Sequence, residues 1–135
     1  MDSVQDQTVA VESEFVDLDA IAALPIPQQD VTLDAFGGKK IKLVQLNARR
    51  VSQFFGLAKD QERPSFQALL IAAHIADADG SFKYEDISSG VETVSKLPYD
   101  AFAVLFVASE ELTPLTENAL LKRAKKLAAP SASDS

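Results

Sequence analysis

Apolar and polar residues alternate in the segment 31–43, on both sides of a Gly37-Gly38 pair. The alternating apolar positions are Val31, Leu33, Ala35, Ile41 and Leu43. Because glycine adopts positive φ without steric cost, this pattern predicts a β-hairpin with a primed turn at the two glycines, ending near Leu46. A hairpin alone is marginal in water, so we expect it to pack against the rest of the chain.

After the hairpin the apolar spacing changes to three and four residues, which predicts helices. Asn47 is expected to cap a first helix whose apolar positions are Ala48, Val51, Phe54, Phe55 and Ala58. The polar residues Arg49, Arg50, Gln53 and Lys59 fall on the opposite side of that helix.

The next helix, residues 66–76, contains only two polar side chains, Gln67 and His74. This composition is typical of a helix that is buried on nearly every side, and Asp79-Gly80 is expected to end it. We expect His74 to be a partly buried residue with one hydrogen bond, because nothing in the sequence places a carboxylate or serine beside it.

Three further helices are predicted, over residues 84–97, from residue 99 or 100, and over residues 115–128. Pro98 and Pro114 mark two of the boundaries, since proline is tolerated only in the first turn of a helix. In the last helix, the residues expected to face inward are Leu120, Leu121, Ala124 and Leu127.

Together these elements predict a mainly α fold, with a short N-terminal β-hairpin followed by about five helices in a compact bundle with disordered tails. Residues 1–28 are expected to be an acidic, largely flexible extension, residues 29–129 the hairpin plus helical domain, and residues 130–135 a flexible C-terminal tail.

Charge is concentrated at the start of the chain, which has a net charge of −7. Residues 1–38 hold eight acidic side chains and no Lys or Arg, whereas the last helix ends in the basic cluster 122–126. The acidic balance argues against nucleic-acid binding, and that cluster suits the negative end of a helix dipole. With no apolar run long enough to cross a bilayer and no cysteine, the chain is expected to be a soluble intracellular protein without disulfides, cysteine chemistry or membrane partners.

Motifs for catalysis are missing from the sequence, so we do not expect an enzyme, a cofactor or a metal centre. The alternative hypothesis is a calcium-responsive EF-hand-like module, since Asp77, Asp79, Gly80 and Phe82 match part of such a loop. Its first ligand position would be Ile75, however, and its twelfth Asp86 in place of glutamate. A simple glycine turn stabilised by Asp77 or Asp79 explains the same residues.

Residues 66–76 and 101–108 are both apolar on every side, although a domain of about 100 residues can enclose only one helix fully. Either the hairpin and tails cover both helices, or some apolar surface serves a partner. That partner would be another copy of the chain or a client with amphipathic helices.

The order of elements resembles the small tail assembly chaperones of long-tailed bacteriophages. The resemblance covers residues 30–127 and begins with the strand, glycine turn, strand and helix of VTLDAFGGKKIKLVQLNARRVSQF. It continues through an apolar helix, an Asp-Gly turn, Phe82 before an acidic helix start, and an apolar helix after a Leu-Pro break. Relatives usually carry Ser or Thr where Lys83 stands, and the acidic extension departs from their short N-terminus.

The resemblance implies a non-enzymatic factor that binds the tape measure protein, keeps it soluble and helps to recruit tail tube protein. It also implies action in the host cytoplasm and absence from the mature virion, and self-association is a further expectation. Client contact is expected through the apolar faces of the last two helices. The residues expected to make it are Phe102, Leu105, Phe106, Leu120, Leu121 and Leu127.

Overall fold

The computed structural model of the chain describes residues 17–59 and 63–128. Residues 1–16 of the expected N-terminal extension and the expected tail 130–135 lie outside these residues. The described helices are α1 Leu18–Ala22, α2 Ala48–Ala58, α3 Arg63–His74, α4 Val91–Ser95, α5 Tyr99–Leu112 and α6 Glu117–Ala128. The strands are β1 Gln28–Leu33, β2 Lys39–Val44 and β3 Ile75–Ala76. The prediction of a mainly α fold with a short β-hairpin is confirmed.

The hairpin pairs β1 with β2 in an antiparallel register that places Val31 opposite Ile41. Its turn is longer than the predicted primed turn, because residues 34–38 join the strands and begin with a 3-10 turn at Asp34–Phe36. Gly37 and Gly38 have φ values of 82° and 68°, and the Gly38 N–H donates to the Leu33 carbonyl over 3.1 Å. Gly37 and Gly38 are therefore the last two residues of a five-residue connection, and they lead directly into β2.

The third strand occupies residues that were predicted to be helical. Helix α3 ends at His74, and Ile75 and Ala76 pair with Leu43 and Lys42 of β2. The chain then turns through Gly80, with φ 91°, so that the Lys83 N–H donates to the Ile75 carbonyl over 2.9 Å. A short apolar run fits a buried strand as well as a helix end, which is why the apolar pattern missed this boundary.

Helix α3 is the centre of the domain, as its composition predicted. Every residue from 68 to 74 is buried, and α2, α4 and α5 all pack against this helix. Helix α2 starts at the expected cap, where the Asn47 side chain accepts the Arg50 N–H over 2.8 Å. Phe54 anchors α2 on α3 through an edge-to-face contact with Phe66, at 5.2 Å between ring centroids.

The prediction of one helix over residues 84–97 is wrong for its first half. Asp86 accepts hydrogen bonds from the Ser88 N–H and hydroxyl, and a 3-10 helix runs over Ile87–Gly90 before α4 begins. The side chain of Asp86 competes for the backbone donors that an α-helix would use. Gly90 packs so closely under the Tyr84 ring that a Cβ atom there would overlap it.

Helix α5 buries one face, formed by Ala101, Leu105, Ala108, Ser109 and Leu112, and exposes Val104 and Val107 on the other. Helix α6 has no buried residue at all. The prediction that Leu120, Leu121, Ala124 and Leu127 face inward is therefore wrong, because α6 extends beyond the core that α2, α3 and α5 complete. Unlike α3, the two last helices keep apolar side chains in contact with solvent.

Candidate partner-binding groove

An apolar groove separates α6 from α2, and we call it the C-terminal groove. Its floor is the link that enters α2 and the link that leaves α5, and its walls are the two helices. The volume is about 460 Å³. The lining residues are Gln45, Leu46, Ala48, Val51, Phe55, Thr113, Pro114, Leu115, Leu120, Arg123, Ala124 and Leu127.

The floor of the groove is fastened by hydrogen bonds between its two links. The Gln45 Nε2 group donates to the Leu112 carbonyl over 2.8 Å, and the Leu46 N–H donates to the Thr113 hydroxyl over 3.2 Å. Thr113 Oγ1 lies 2.8 Å from His74 Nε2. Because these bonds join positions far apart in sequence, they fix the spacing of the two links.

His74 is fully buried and makes two hydrogen bonds, so the expectation of a partly buried residue with one bond is wrong. Its Nδ1 lies 2.7 Å from the Leu70 carbonyl, which can only accept, so Nδ1 carries the proton. The other nitrogen, Nε2, then accepts from the Thr113 hydroxyl. Burial lowers the pKa of His74 to about 4, with the Arg50 charge acting in the same direction and the Leu70 bond opposing them.

Arg50 lies inside the domain, contrary to its predicted place on the outer side of α2. Its guanidinium donates to the backbone carbonyls of Ala73, Tyr84 and Glu85 at 2.8, 2.6 and 3.2 Å, and it stacks 4.0 Å from the Phe82 ring centroid. Burial lowers the pKa of this guanidinium. The side chain therefore joins α2 to the end of α3 and to the segment 82–86.

In the described part of the chain, fewer hydrogen bonds connect α6 to the rest of the domain than join the two links of the floor. Among the described residues, Arg123 Nη1 donates to the Glu111 carbonyl over 2.8 Å, which ties α6 to the last turn of α5. A cation at that place also suits the negative end of the α5 dipole. The Thr116 hydroxyl accepts the Ala119 N–H over 3.2 Å and thereby starts α6.

The structure brings only part of the predicted contact set together. Leu120 and Leu127 are 56 % and 70 % exposed and line the C-terminal groove. Leu121 is 53 % exposed but lies outside the lining of this groove. Leu105 is fully buried, so its predicted role as a contact residue is wrong.

Phe102 and Phe106 are half-buried against the core rather than facing the groove. Their place is taken by Phe55 and Val51 of α2, which were predicted as core positions of that helix and not as site residues. The α2 spacing alone could not reveal this role, because the groove exists only where α6 stands apart from α2. Phe55 exposes nearly half of its surface there.

A second apolar surface lies on the outer side of α5, and we call it the α5–β1 face. Val104 and Val107 are exposed there beside Val31 of β1, which is one of the two edge strands of the sheet. Within α5 beyond its first residue, Tyr99, these two valines are the exposed large apolar side chains.

The turn that suggested a calcium loop is built from local hydrogen bonds. Asp79 accepts from the Ser81 N–H and hydroxyl at 3.0 and 2.6 Å, and these bonds lower the pKa of Asp79. Asp86 accepts from Ser88 as described above, and residues 84–86 do not start the second helix that an EF-hand requires. Within the described ranges, no three acidic or histidine side chains converge as a metal site would require.

A larger cleft, of about 550 Å³, lies between β2, β3 and α4. Four of its charged side chains form ion pairs with one another: Lys42 Nζ is 2.8 Å from Asp30 Oδ1, which lowers the pKa of Asp30, and Lys83 Nζ is 3.9 Å from Asp77. The C-terminal groove, with its two exposed leucines, is therefore the better candidate for partner binding.

Comparison with known proteins adds no family assignment. The sequence matches no protein-family model, and neither a curated protein nor a solved structure shows significant similarity to the chain. In the part of the chain that the structure describes, the helices are too short or too polar for any of them to span a membrane.

Proposed function

We propose that this protein is a phage tail assembly chaperone that binds the tape measure protein, keeps it soluble and helps to recruit tail tube protein. The observation that carries the proposal is the exposed pair Leu120 and Leu127, which faces Phe55 across the C-terminal groove. The likeness in the order of elements supplies the identity of the client.

The groove suits an amphipathic helix because its two walls are themselves helices with apolar faces. Helix α6 has 12 residues and is therefore about 18 Å long, which matches roughly three turns of a client helix. When covered, the exposed parts of Leu120, Leu127 and Phe55 together contribute on the order of 4 kcal/mol of hydrophobic transfer free energy, against which the cost of association must be set. Such a modest gain favours a chaperone that must later release its client.

Recruitment of tail tube protein needs a surface that remains available while the client is bound. The α5–β1 face, with Val104 and Val107, meets this need because it shares no lining residue with the C-terminal groove. We assign the client to the groove and the tube subunit to the α5–β1 face.

Co-expression with the tape measure protein tests the proposal. Wild-type chain should raise the soluble fraction of the tape measure protein, and the pair Leu120→Asp and Leu127→Asp should abolish the increase. Leu121→Asp is the matched control for each of the two single substitutions, because it adds one negative charge on α6 outside the groove lining and should keep the activity. Circular dichroism establishes that the variants fold.

Two results would argue against the proposal: no increase in soluble tape measure protein with the wild-type chain, or equal loss with Leu121→Asp. For the second surface, Val104→Asp with Val107→Asp should leave the tape measure protein soluble but reduce capture of tail tube protein by the complex. Unchanged capture would remove the α5–β1 face from the proposal.

A further inference from the structure

Strand β1 has one edge that no other strand of the described chain covers. It pairs with β2 on one side, and the sheet ends there. The opposite edge of the sheet is β3, which is only two residues long and forms a further bridge from Ala76 to Phe82. The outer edge of β1 is therefore the longer open edge of this sheet.

The register of the hairpin determines which residues of β1 bond to β2. The Gln45 N–H donates to the Pro27 carbonyl over 2.9 Å, and these two residues stand opposite each other in the same register as the strands. Opposite residues in an antiparallel pair alternate between bonded and unbonded pairs. The residues of β1 that bond to β2 are therefore Gln29, Val31 and Leu33.

The other three residues of β1 direct their backbone N–H and C=O groups away from β2. These residues are Gln28, Asp30 and Thr32. Within the described ranges, no backbone hydrogen bond outside the hairpin uses these groups. An extended strand presents a matching row of donors and acceptors, whereas a helix has already bonded its own backbone groups internally. The edge is therefore suited to an added strand.

Strand β1 also lacks the features by which sheet edges usually prevent strand addition, namely lysine, proline and bulges. The strand Gln28–Leu33 contains no lysine or proline, and its pairing with β2 is uninterrupted. The lysines of the hairpin lie on the central strand β2 instead, as Lys39, Lys40 and Lys42. The one charged residue of β1, Asp30, forms an ion pair with Lys42.

A cavity of about 430 Å³ lies between β1 and the outer side of α5, and no residue of β2 lines it. Val104 and Val107 are 46 % and 53 % exposed on the α5 side, and Gln29 and Val31 form the β1 side. Successive side chains of a strand point to opposite faces, so every second side chain of an added strand would meet the valines. This surface therefore favours a strand with apolar residues at alternate positions.

Charge favours a strand from a different protein over a second copy of this chain. Neither β1 nor α5 contains Lys or Arg, whereas α5 holds the exposed acids Asp100, Glu110 and Glu111. Among the described residues, none of these three carboxylates forms an ion pair, and Glu111 lines the cavity. Pairing β1 with the β1 of a second copy would bring two acidic α5 helices together, whereas basic residues on an incoming strand would be attracted.

From these observations we infer that the outer edge of β1 binds an extended strand of a partner protein, with apolar side chains at alternate positions and Lys or Arg near its ends. The strand pairs with the outward groups of Gln28, Asp30 and Thr32 and covers Val104 and Val107. The inference gives the mode of binding at the α5–β1 face, and it rests on the proposed function for the identity of the partner as tail tube protein.

The synthetic peptide Lys-Val-Thr-Val-Thr-Val-Lys tests this mode of binding without tail tube protein. The full-length chain should bind the dye-labelled peptide saturably below about 1 mM, as fluorescence anisotropy measures. The same peptide with Glu in place of both Lys residues should bind at least about fivefold more weakly at low salt, and this difference should shrink as salt screens the charges.

Thr32→Pro removes an outward N–H group without removing a bond to β2, and proline is tolerated at such edge positions. It should weaken binding of the peptide about tenfold, because the ring also obstructs the added strand. The matched control is Thr32→Ala, which keeps the N–H group and should change the affinity by less than about twofold. Circular dichroism establishes that both variants fold.

Hydrogen exchange followed by NMR provides a readout that requires no substitution. In the free chain, the N–H groups of Gln29 and Val31 should exchange slowly because they bond to β2, and those of Asp30 and Thr32 should exchange fast. Saturating peptide should slow the exchange of Asp30 and Thr32 at least about tenfold and leave Gln29 and Val31 nearly unchanged.

Failure of the peptide to bind, or binding that leaves the Asp30 and Thr32 exchange rates unchanged, would overturn the inference. Concentration-dependent protection of these two amides in the free chain would overturn it too, because a second copy would then be the occupant. Capture of tail tube protein that Thr32→Pro leaves unchanged would count against this binding mode but not against the proposed function. Peptide binding without any capture of tail tube protein would uphold the mode and count against the proposed function.

Discussion

The hydroxyl of Thr113 donates to Nε2 of His74 over 2.8 Å, which joins the end of the central helix to the point where the chain leaves the core for α6. The same hydroxyl accepts the Leu46 N–H, so a single side chain connects α3, the link into α2 and the link into α6. The link into α6 therefore starts at a residue whose position is fixed by hydrogen bonds to the buried core.

This arrangement predicts a loss of stability in mild acid. The folded-state pKa of His74, about 4, lies below the ordinary value of 6.5, so the unfolded chain binds the proton more readily between these values. Stability should be complete above pH 6.5 and fall as the pH drops toward 4, by about 2 kcal/mol between pH 7 and pH 5. Urea unfolding at these two pH values measures the loss.

The control for this prediction is His74→Gln, which cannot take up a proton in this range. Its overall stability will be lower, but the part of the pH dependence that belongs to His74 should disappear. Wild-type and variant chains with the same slope between pH 7 and pH 5 would show that the imidazole is not responsible.

Arg50 should be far more important for stability than its neighbour Arg49. Arg50→Met removes the donors of three backbone carbonyls at once, and leaving such buried acceptors unpaired should cost about 3 kcal/mol or more. Arg49→Met, at an exposed position, should change stability by no more than about 0.5 kcal/mol. Denaturant midpoints compare them, and equal effects would contradict the structural role of Arg50.

Gly90 and Gly56 should respond in opposite directions to the same substitution. Gly90→Ala places a methyl group against the Tyr84 ring and should destabilise the chain by about 1–3 kcal/mol. Gly56 is exposed within α2 with open space around it, so Gly56→Ala should stabilise by about 0.5–1 kcal/mol. Thermal melting of both variants checks the pair, and a shift of the same sign in each would not fit the structure.

Calcium should leave the protein unchanged. The oxygens of Asp79 and Asp86 accept local hydrogen bonds from Ser81 and Ser88, and we expect these turns to persist without a cation. Millimolar calcium should therefore produce no heat in a titration and no shift of the melting temperature, with magnesium as the control for ionic strength. A saturable heat with calcium alone would revive the EF-hand-like hypothesis.

The parts of the fold that sequence reasoning found depend on local rules. The hairpin glycines, the Asn47 cap and the start of α5 after Pro98 are recognisable within a few residues. Arg50 was missed because its carbonyl partners lie 23 to 35 residues away. One local signal was present, since Arg50 continues the four-residue spacing of Phe54 and Ala58, both buried.

The sequence also predicted part of the candidate site, namely the leucines of α6 but not the residues of α2 that face them. The apolar stripe of α6 is visible in the sequence, and Leu120 and Leu127 were named from it. The sequence could not show that this stripe would be left open instead of buried, since that depends on whether α2, α3 and α5 complete the core without α6. Leu105 shows the opposite error, since it was predicted to contact the client but is buried. Its place in the apolar run 101–108 does not distinguish it from the exposed Val104 and Val107, and only the packing of α5 on the core does.

The bond from Arg123 to the Glu111 carbonyl has a mechanical consequence. Before Pro114, hydrogen bonds of Leu112 and Thr113 fasten the polypeptide to the core. After Pro114, among the described residues, Arg123 makes the hydrogen bond that connects α6 to α5. Tilting α6 outward would sacrifice about 1 kcal/mol, the net worth of a typical hydrogen bond. Helix α6 can therefore change its tilt at a small cost in free energy, whereas the position at which the chain leaves the core stays fixed.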